Sequence, residues 1–127
     1  MSRTRLITVV IADDDAYLRD LLRLRLDLDG RFDVVGEAFD GMHAVDVLRT
    51  HRPDAVILDV GMPRMTGIEV LSQIRHELPD TKVVLFTSLR DPALREAAEL
   101  DGADAYLEKG DIMGSLIPTI VELVGGD

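Results

Sequence analysis

Short apolar runs rich in β-branched residues alternate five times with longer segments that carry helix-start signals, and this alternation restricts the fold more than any other feature. The five runs are Leu6–Ile11, Val34–Val35, Ala55–Leu58, Lys82–Phe86 and Ala105–Leu107. Regular alternation of strand and helix predicts a parallel sheet with helices on both faces. The first, third and fourth runs are nearly all apolar, as expected when both faces of a strand are covered. We therefore expect an α/β fold with a doubly wound (βα)5 arrangement.

The segments between the runs each contain a residue that can accept hydrogen bonds from the first amides of a helix. These N-cap candidates are Asp15, Asp40, Thr66, Asp91 and Asp111. Two of them are reinforced: Thr66 precedes Glu69 in a capping-box pattern, and Asp91 precedes Pro92, which suits the first helical position. Pro118 lacks a backbone donor, so we expect it to bend or delay the last helix.

The predicted first helix has an ambiguous pattern, because every second residue from Leu22 to Leu28 is leucine and charged residues lie between them. In isolation, such alternation is typical of a strand. Residues 15–28 are too many for a typical strand, so a helix is preferred. Its leucines then cover a wider arc than one buried face requires.

Length and composition indicate one globular domain. The chain has 127 residues, of which 46% are hydrophobic, enough for a single core. It contains no cysteine, which excludes disulfides, thiolate metal sites and cysteine nucleophiles. The net charge of −10 disfavours direct contact with DNA or with an anionic membrane. The apolar runs are too short to span a bilayer and the first residues do not form a signal peptide, so we expect a cytoplasmic location.

Parallel α/β sheets bind ligands beyond the carboxyl ends of their strands, near the point where the strand order reverses. For the order 2-1-3-4-5, which is common in five-stranded sheets of this type, that point lies between the first and third strands. Asp54 precedes the third strand and is therefore expected at the opposite edge. The polar residues that follow the strands are Asp13, Asp14, Asp59, Thr87, Ser88 and Lys109.

Three carboxylates in one crevice must either shift their pKa values or bind a cation. An all-oxygen ligand set suits Mg²⁺, whose coordination is often completed by a phosphate oxygen. A carboxylate beside such an ion can attack a phosphoryl group, while Lys109 and Thr87 can supply the ammonium and the hydroxyl that the transferred group needs. Each residue alone also has an ordinary explanation as a cap, turn, strand or surface residue. Their coincidence at one edge favours phosphoryl chemistry.

Several segments resemble the receiver domain of response regulators, the CheY-like phosphoacceptor module of bacterial two-component signalling. The resemblance covers roughly residues 5 to 124 and is carried by "VVIADDDAYLR", "VILDVGMPRMTGIEVL", "VVLFTS" and "GADAYLEKG". The segments "VVGEAFDG" and "RPDAVILDV" are most similar to those of the NarL/LuxR-type subfamily. Members of that subfamily usually carry a C-terminal helix-turn-helix domain.

The resemblance implies a role for each matching residue. Asp59 would be the phosphoacceptor, Thr87 would contact the phosphoryl group and Lys109 would pair with it. Tyr106 would be the aromatic residue of the conformational switch. The implied ligands of Mg²⁺ (or Mn²⁺) are Asp13, Asp14, Asp59 and the backbone carbonyl of Gly61.

The resemblance also implies a domain organisation and partners. Residues 1–127 would form one receiver domain, either standing alone or with its C-terminal effector domain removed, and the resemblance favours removal. A sensor histidine kinase would donate the phosphoryl group, and the output would be transcription through the effector domain, which alone would contact DNA. A phosphorylation-promoted homodimer would form through the first and last helices. Only self-catalysed phosphorylation and dephosphorylation are expected, so the chain is not expected to be a multiple-turnover enzyme.

Other classes of protein fit less well. A haloacid-dehalogenase-like phosphatase needs a second aspartate two residues after Asp59, where Gly61 stands. An FMN-binding or dinucleotide-binding fold needs a different loop after the first strand, where this chain has three aspartates. The three histidines lack the spacing of a zinc site. The alternative that stays open is a stand-alone or atypical pseudo-receiver, which binds partners without being phosphorylated.

Overall fold

The computed structural model describes residues 5–88, 91–111 and 114–125. Its strands form one parallel sheet in the order β2-β1-β3-β4-β5, which confirms the predicted α/β fold and strand order. Because β1 and β3 are neighbours, the chain reverses its direction of winding between them. The strands are β1 (Ile7–Ala12), β2 (Phe32–Ala38), β3 (Ala55–Leu58), β4 (Lys82–Thr87) and β5 (Ala105–Glu108).

A helix follows each strand, and four of the predicted N-caps are confirmed. Asp15, Asp40 and Asp91 each accept hydrogen bonds from amides in the first turn of a helix, and Thr66 and Glu69 form the complete capping box. These caps satisfy amides that the helices themselves leave without an acceptor. The helices are α1 (Ala16–Asp29), α2 (Gly41–His51), α3 (Gly67–Ile74), α4 (Pro92–Leu100) and α5 (Leu116–Ile120).

The prediction that Asp111 opens the last helix is wrong. Asp111 ends a short 3₁₀ turn, Lys109–Asp111, and the residue before α5 is Ser115, whose side chain makes no capping bond. Pro118 explains the late start, because it lies in the first turn, where its missing amide has no helical acceptor to lose. The helix then widens into a π-helical turn over Val121–Gly125.

The second strand is longer than the two residues predicted from its apolar content. It includes Gly36 and Glu37, and the pairing register shifts between Val9 and Val10 of the adjacent strand. Since β2 is an edge strand, its outer residues face fewer neighbours, which allows polar residues that an interior strand would exclude.

Two apolar cores lie on the two faces of the sheet. Alternate residues of β1 point to opposite sides, so Val10 packs with α2 and α3, while Val9 and Ile11 pack with α1 and α5. The same alternation in β3 and β4 explains why both strands are almost wholly apolar. Within the described residues, no helix combines the length and the apolar character needed to cross a membrane.

The alternating leucines of α1 are divided between the core and the surface. Leu22 and Leu26 are buried, whereas Leu24 is 54% exposed and Leu28 is 76% exposed. The helix prediction is therefore confirmed, together with its wide apolar arc. At the other side of the molecule, α4 is anchored more weakly, with Ala98 as its one fully buried residue among those described.

The first turn of α3 lies directly against the end of β3. A Cβ atom at Gly67 would lie 2.4 Å from the carbonyl oxygen of Asp59, and the Gly67 amide donates a hydrogen bond of 3.0 Å to Val60. Only a residue without a side chain allows this approach. The contact holds the backbone of Asp59 at a fixed position below the helix.

We expect Gly67→Ala to lower the free energy of unfolding by about 1–3 kcal/mol, as overpacking does in a tight core. Helix propensity alone predicts the opposite sign, because alanine favours a helix over glycine. Gly110→Ala is the control, since a Cβ atom there meets nothing within 4 Å. Urea denaturation measures both variants, and equal stability of Gly67→Ala and the parent chain would contradict the role assigned to this contact.

Candidate functional site

The predicted acidic residues meet at the carboxyl edge of the sheet. Asp13 and Asp14 follow β1 and Asp59 follows β3, and one carboxylate oxygen of each lies within 4.8 Å of the others. Asp13 is 2% exposed and Asp59 is 5% exposed, whereas Asp14 faces solvent. The cluster is therefore a partly buried crevice with one open side.

Backbone hydrogen bonds fix the two buried aspartates. The Asp13 amide donates to the carbonyl of Ala38 at 3.0 Å, and the Asp59 amide donates to the carbonyl of Ala12 at 2.9 Å. These bonds extend the sheet pairing one residue beyond the strands. The Asp59 side chain also accepts a hydrogen bond of 3.3 Å from the Gly61 amide, which orients its carboxylate towards the crevice.

Lys109 brings positive charge to the same crevice from the end of β5. Its Nζ lies 2.8 Å from Asp13 Oδ2 and 3.4 Å from Asp59 Oδ1. Burial alone would lower the pKa of Lys109, but its contacts with the two carboxylates outweigh this effect and raise the pKa. Lys109 is therefore held as a cation between Asp13 and Asp59.

One ammonium does not balance three carboxylates. Burial, and after it the charge of Asp13, raise the pKa of Asp59 above its ordinary value, although Lys109 and the Gly61 amide act in the other direction. Asp13 Oδ2 is buried and ion-paired with Lys109, but receives no hydrogen bond of good geometry among the described residues. Excess negative charge and an under-coordinated oxygen suit a hard divalent cation such as Mg²⁺.

Thr87 and Tyr106 lie on the strands next to the crevice. Thr87 ends β4, is 1% exposed, and pairs in register with Glu108. Tyr106 lies on β5, packs against the core on the α4 side, and has the guanidinium carbon of Arg95 5.8 Å from its ring centre. Ser88, which follows Thr87, is exposed. The geometry brings together Asp13, Asp14, Asp59 and Lys109, with Thr87 on the neighbouring strand.

Asp54 lies at the opposite edge of the sheet, as predicted. Its carboxylate accepts hydrogen bonds from Arg5 at 2.9 Å and from the Thr8 amide at 2.9 Å. Burial alone would raise the pKa of Asp54, but the bonds from Arg5 and Thr8 outweigh it and lower the pKa. The two aspartates beside β3 thus have opposite electrostatic environments.

Sequence reasoning missed the side chain that holds the backbone of the acidic loop. Arg19, on the first turns of α1, donates a hydrogen bond of 2.6 Å to the carbonyl of Asp13 and one of 3.1 Å to Glu37 on β2. An arginine followed by a distant glutamate carries no local signal, because the contact depends on β2 lying beside β1. The predicted second strand ended at Val35, so Glu37 was not placed beside the end of β1.

The chain matches the family model described as the response regulator receiver domain, over residues 9–120. It is 41% identical over 104 residues to the response regulator MprA of Mycobacterium sp. (strain KMS), covering 81% of this chain and 44% of that protein. It is 34% identical over 121 residues to the "Probable transcriptional regulatory protein NarL" of Mycobacterium tuberculosis, covering 94% of this chain and 56% of that one. The chain thus spans about half the length of these curated relatives.

Solved structures give the same result. A DNA-binding response regulator of the LuxR family from Staphylococcus aureus superposes with a TM-score of 0.88 at 33% identity, covering 93% of this chain and 98% of that chain. Both the receiver resemblance and its NarL/LuxR character are therefore confirmed by the comparisons.

The opposite environments of Asp59 and Asp54 predict opposite effects of removing the charge. Without metal at pH 7, we expect Asp59→Asn to raise the free energy of unfolding by about 1 kcal/mol and Asp54→Asn to lower it by a similar amount. A raised pKa means that the folded state disfavours the ionised Asp59, so its destabilising effect grows as pH rises through the titration range of this group.

Urea denaturation in EDTA between pH 3 and pH 8 checks this prediction. The advantage of Asp59→Asn should disappear at the acidic end, where Asp59 is largely protonated in both states. The deficit of Asp54→Asn should only shrink there, because the lowered pKa keeps folded Asp54 ionised to lower pH. Equal destabilisation by both substitutions at pH 7 would show that no charge excess exists in the crevice.

Proposed function

Because the chain belongs to the response regulator receiver domain family, we propose that it accepts a phosphoryl group from a sensor histidine kinase onto Asp59. The observation that carries this proposal is the site geometry. The Asp59 carboxylate lies within 4.8 Å of two further carboxylates and 3.4 Å from the Lys109 ammonium. This arrangement surrounds a potential nucleophile with the charges that phosphoryl transfer requires.

In the proposed reaction, an oxygen of Asp59 attacks phosphorus while the bond from phosphorus to the donor nitrogen breaks, and the product is an acyl phosphate. Lys109 pairs with the negative charge that arrives. Asp13, Asp14, Asp59 and the Gly61 carbonyl would hold Mg²⁺ (or Mn²⁺), which would neutralise charge on the phosphoryl oxygens when bound. The raised pKa of Asp59 fits this scheme, because a cation would favour the ionised, nucleophilic form.

The proposal extends to a conformational switch. Thr87 would move towards the phosphoryl group to donate its hydroxyl, and Tyr106 would move into the space that Thr87 leaves. Two features support this idea: Thr87 ends the strand adjacent to β3, and Tyr106 lies on the next strand beside α4. Because α4 buries only Ala98 fully, the surface formed by α4 and β5 can rearrange at small free-energy cost.

The output that we propose is transcriptional control through an effector domain that lies outside residues 1–127. The relatives include a protein named as a transcriptional regulator and one named as a DNA-binding response regulator. The net charge of −10 supports DNA contact through another domain rather than through this one. A cytoplasmic location and self-catalysed chemistry without multiple turnover belong to the same proposal and rest on family membership.

We further propose that phosphorylation promotes a homodimer through α1 and α5. Leu24 and Leu28 expose apolar surface on α1, and Ile117 of α5 lies with Leu28 at the edge of a shallow groove. Exposed apolar side chains close together often mark a contact surface. The pseudo-receiver alternative is less well supported, because Asp13, Asp14, Asp59 and Lys109 meet at one edge of the sheet.

Incubation with acetyl phosphate and Mg²⁺ tests the central proposal. We expect intact-mass spectrometry to detect one phosphoryl group on the parent chain and none on Asp59→Asn, which lacks the nucleophile. Asp54→Asn is the matched control at the opposite edge and should be labelled like the parent chain. EDTA should abolish labelling, because it removes the divalent cation that neutralises the phosphoryl charge.

Labelling of Asp59→Asn at the parent rate would exclude Asp59 as the acceptor. If neither the parent chain nor Asp54→Asn takes up phosphate from acetyl phosphate or from a histidine kinase, the pseudo-receiver alternative is correct.

A further inference from the structure

The loop that carries Asp13 and Asp14 is fixed by a pair of charged residues outside the acidic cluster. Arg19 Nη1 donates 2.6 Å to the Asp13 carbonyl, and Arg19 Nε donates 3.1 Å to Glu37 Oε1. The side chains of Arg19 and Glu37 are 17% and 28% exposed, so water competes only weakly for these bonds. One rigid guanidinium thus connects β2 to the end of β1.

We propose that Arg19, oriented by Glu37, is a positioning residue that sets the affinity of the acidic cluster for a divalent cation. The proposal rests on the function proposed above, since it concerns the metal that Asp59 chemistry uses. Arg19 acts on that metal through the backbone and touches none of the ligand oxygens.

The physical reason lies in the peptide plane between Asp13 and Asp14. A peptide is planar, so the direction of the Asp13 carbonyl also fixes the direction of the Asp14 amide and limits the path to its side chain. Asp13 is held in addition through its amide and its carboxylate. Asp14 is exposed, and no described side chain forms a hydrogen bond with its carboxylate, so the peptide plane is its principal constraint.

Arg23 provides an internal comparison one turn further along α1. Arg23 Nη1 pairs with the other oxygen of Glu37, while Arg23 Nη2 donates 3.3 Å to the carbonyl of Val34. Arg23 therefore shares the ion-pair partner of Arg19 but does not contact the acidic loop. Removing either arginine breaks a contact to Glu37, and only removal of Arg19 releases the Asp13 carbonyl.

A charge effect and a positioning effect predict opposite changes in Mg²⁺ affinity for Arg19→Ala. If Arg19 acted only through its charge, its removal would make the crevice more negative and cation binding tighter. If it acts by positioning, its removal frees the peptide plane and binding weakens. The sign of the change in Mg²⁺ affinity therefore separates the two explanations.

The test is a Mg²⁺ titration of the full chain, monitored through the ¹⁵N–¹H NMR signals of the Asp13–Asp15 amides. We expect Arg19→Ala to weaken Mg²⁺ binding roughly 10-fold, the lower end of the loss seen when a partner of a metal ligand is removed. Arg23→Ala should stay within about twofold, because Arg23 shares the partner Glu37 but does not contact the acidic loop. Arg19→Lys keeps the charge but not the planar fork, so it should also bind Mg²⁺ more weakly than the parent chain.

Two further measurements separate a local effect on the loop from a loss of overall stability. Urea denaturation measures the free energy of unfolding, which a general loss of stability would lower in both Arg19→Ala and Arg23→Ala. Hydrogen exchange of the Asp14 and Asp15 amides in metal-free protein should quicken in Arg19→Ala and stay unchanged in Arg23→Ala.

Tighter or unchanged Mg²⁺ binding in Arg19→Ala, or an equal loss in Arg23→Ala, would overturn the positioning role. If the parent chain shows no response to Mg²⁺, the proposed function itself fails. The exchange data then decide alone whether Arg19 orders the loop, and unchanged exchange in Arg19→Ala rejects that role.

Discussion

Repulsion between Asp13 and Asp59, relieved only in part by Lys109, is the interaction on which the site depends. The strand order places β1 beside β3, so their two terminal carboxylates share one crevice. Lys109 reaches both from β5, yet burial and, after it, the charge of Asp13 keep the pKa of Asp59 above its ordinary value. The fold already holds these carboxylates together, so binding of a cation would relieve the excess negative charge and stabilise the site.

The stability of the apolar sheet allows the fold to tolerate such a site. The apolar residues of β3 and β4 are buried in two cores, and four helices begin with a side-chain cap next to them in the sequence. These local and global preferences agree, so a few unfavourable charges at one edge do not threaten folding. Gly67 adds precision, because it lets α3 approach the Asp59 backbone without a side chain between them.

The fold class, four helix starts and the acidic crevice were predictable from the sequence, because each depends on a local pattern or on the rule that parallel strands end at one edge. The strand order was predicted as the one common in five-stranded sheets of this type. Asp111 was misassigned because a capping residue is only one requirement for a helix, and Pro118 delays the start there. The length of β2 was underestimated because an edge strand tolerates Glu37. The link from Arg19 to Asp13 was missed because a side chain that reaches back to a backbone carbonyl leaves no residue pattern, and because Glu37, which also binds Arg19, lay outside the predicted second strand.

The weak anchoring of α4 has an evolutionary consequence. Ala98 alone is fully buried in that helix, and Leu100 is 81% exposed, so most of its outward residues contribute little to folding. Substitutions on that face are therefore nearly neutral for stability, while the acidic crevice on the other strands stays intact. A lineage can therefore change the exposed residues of α4 and leave the acidic crevice unchanged.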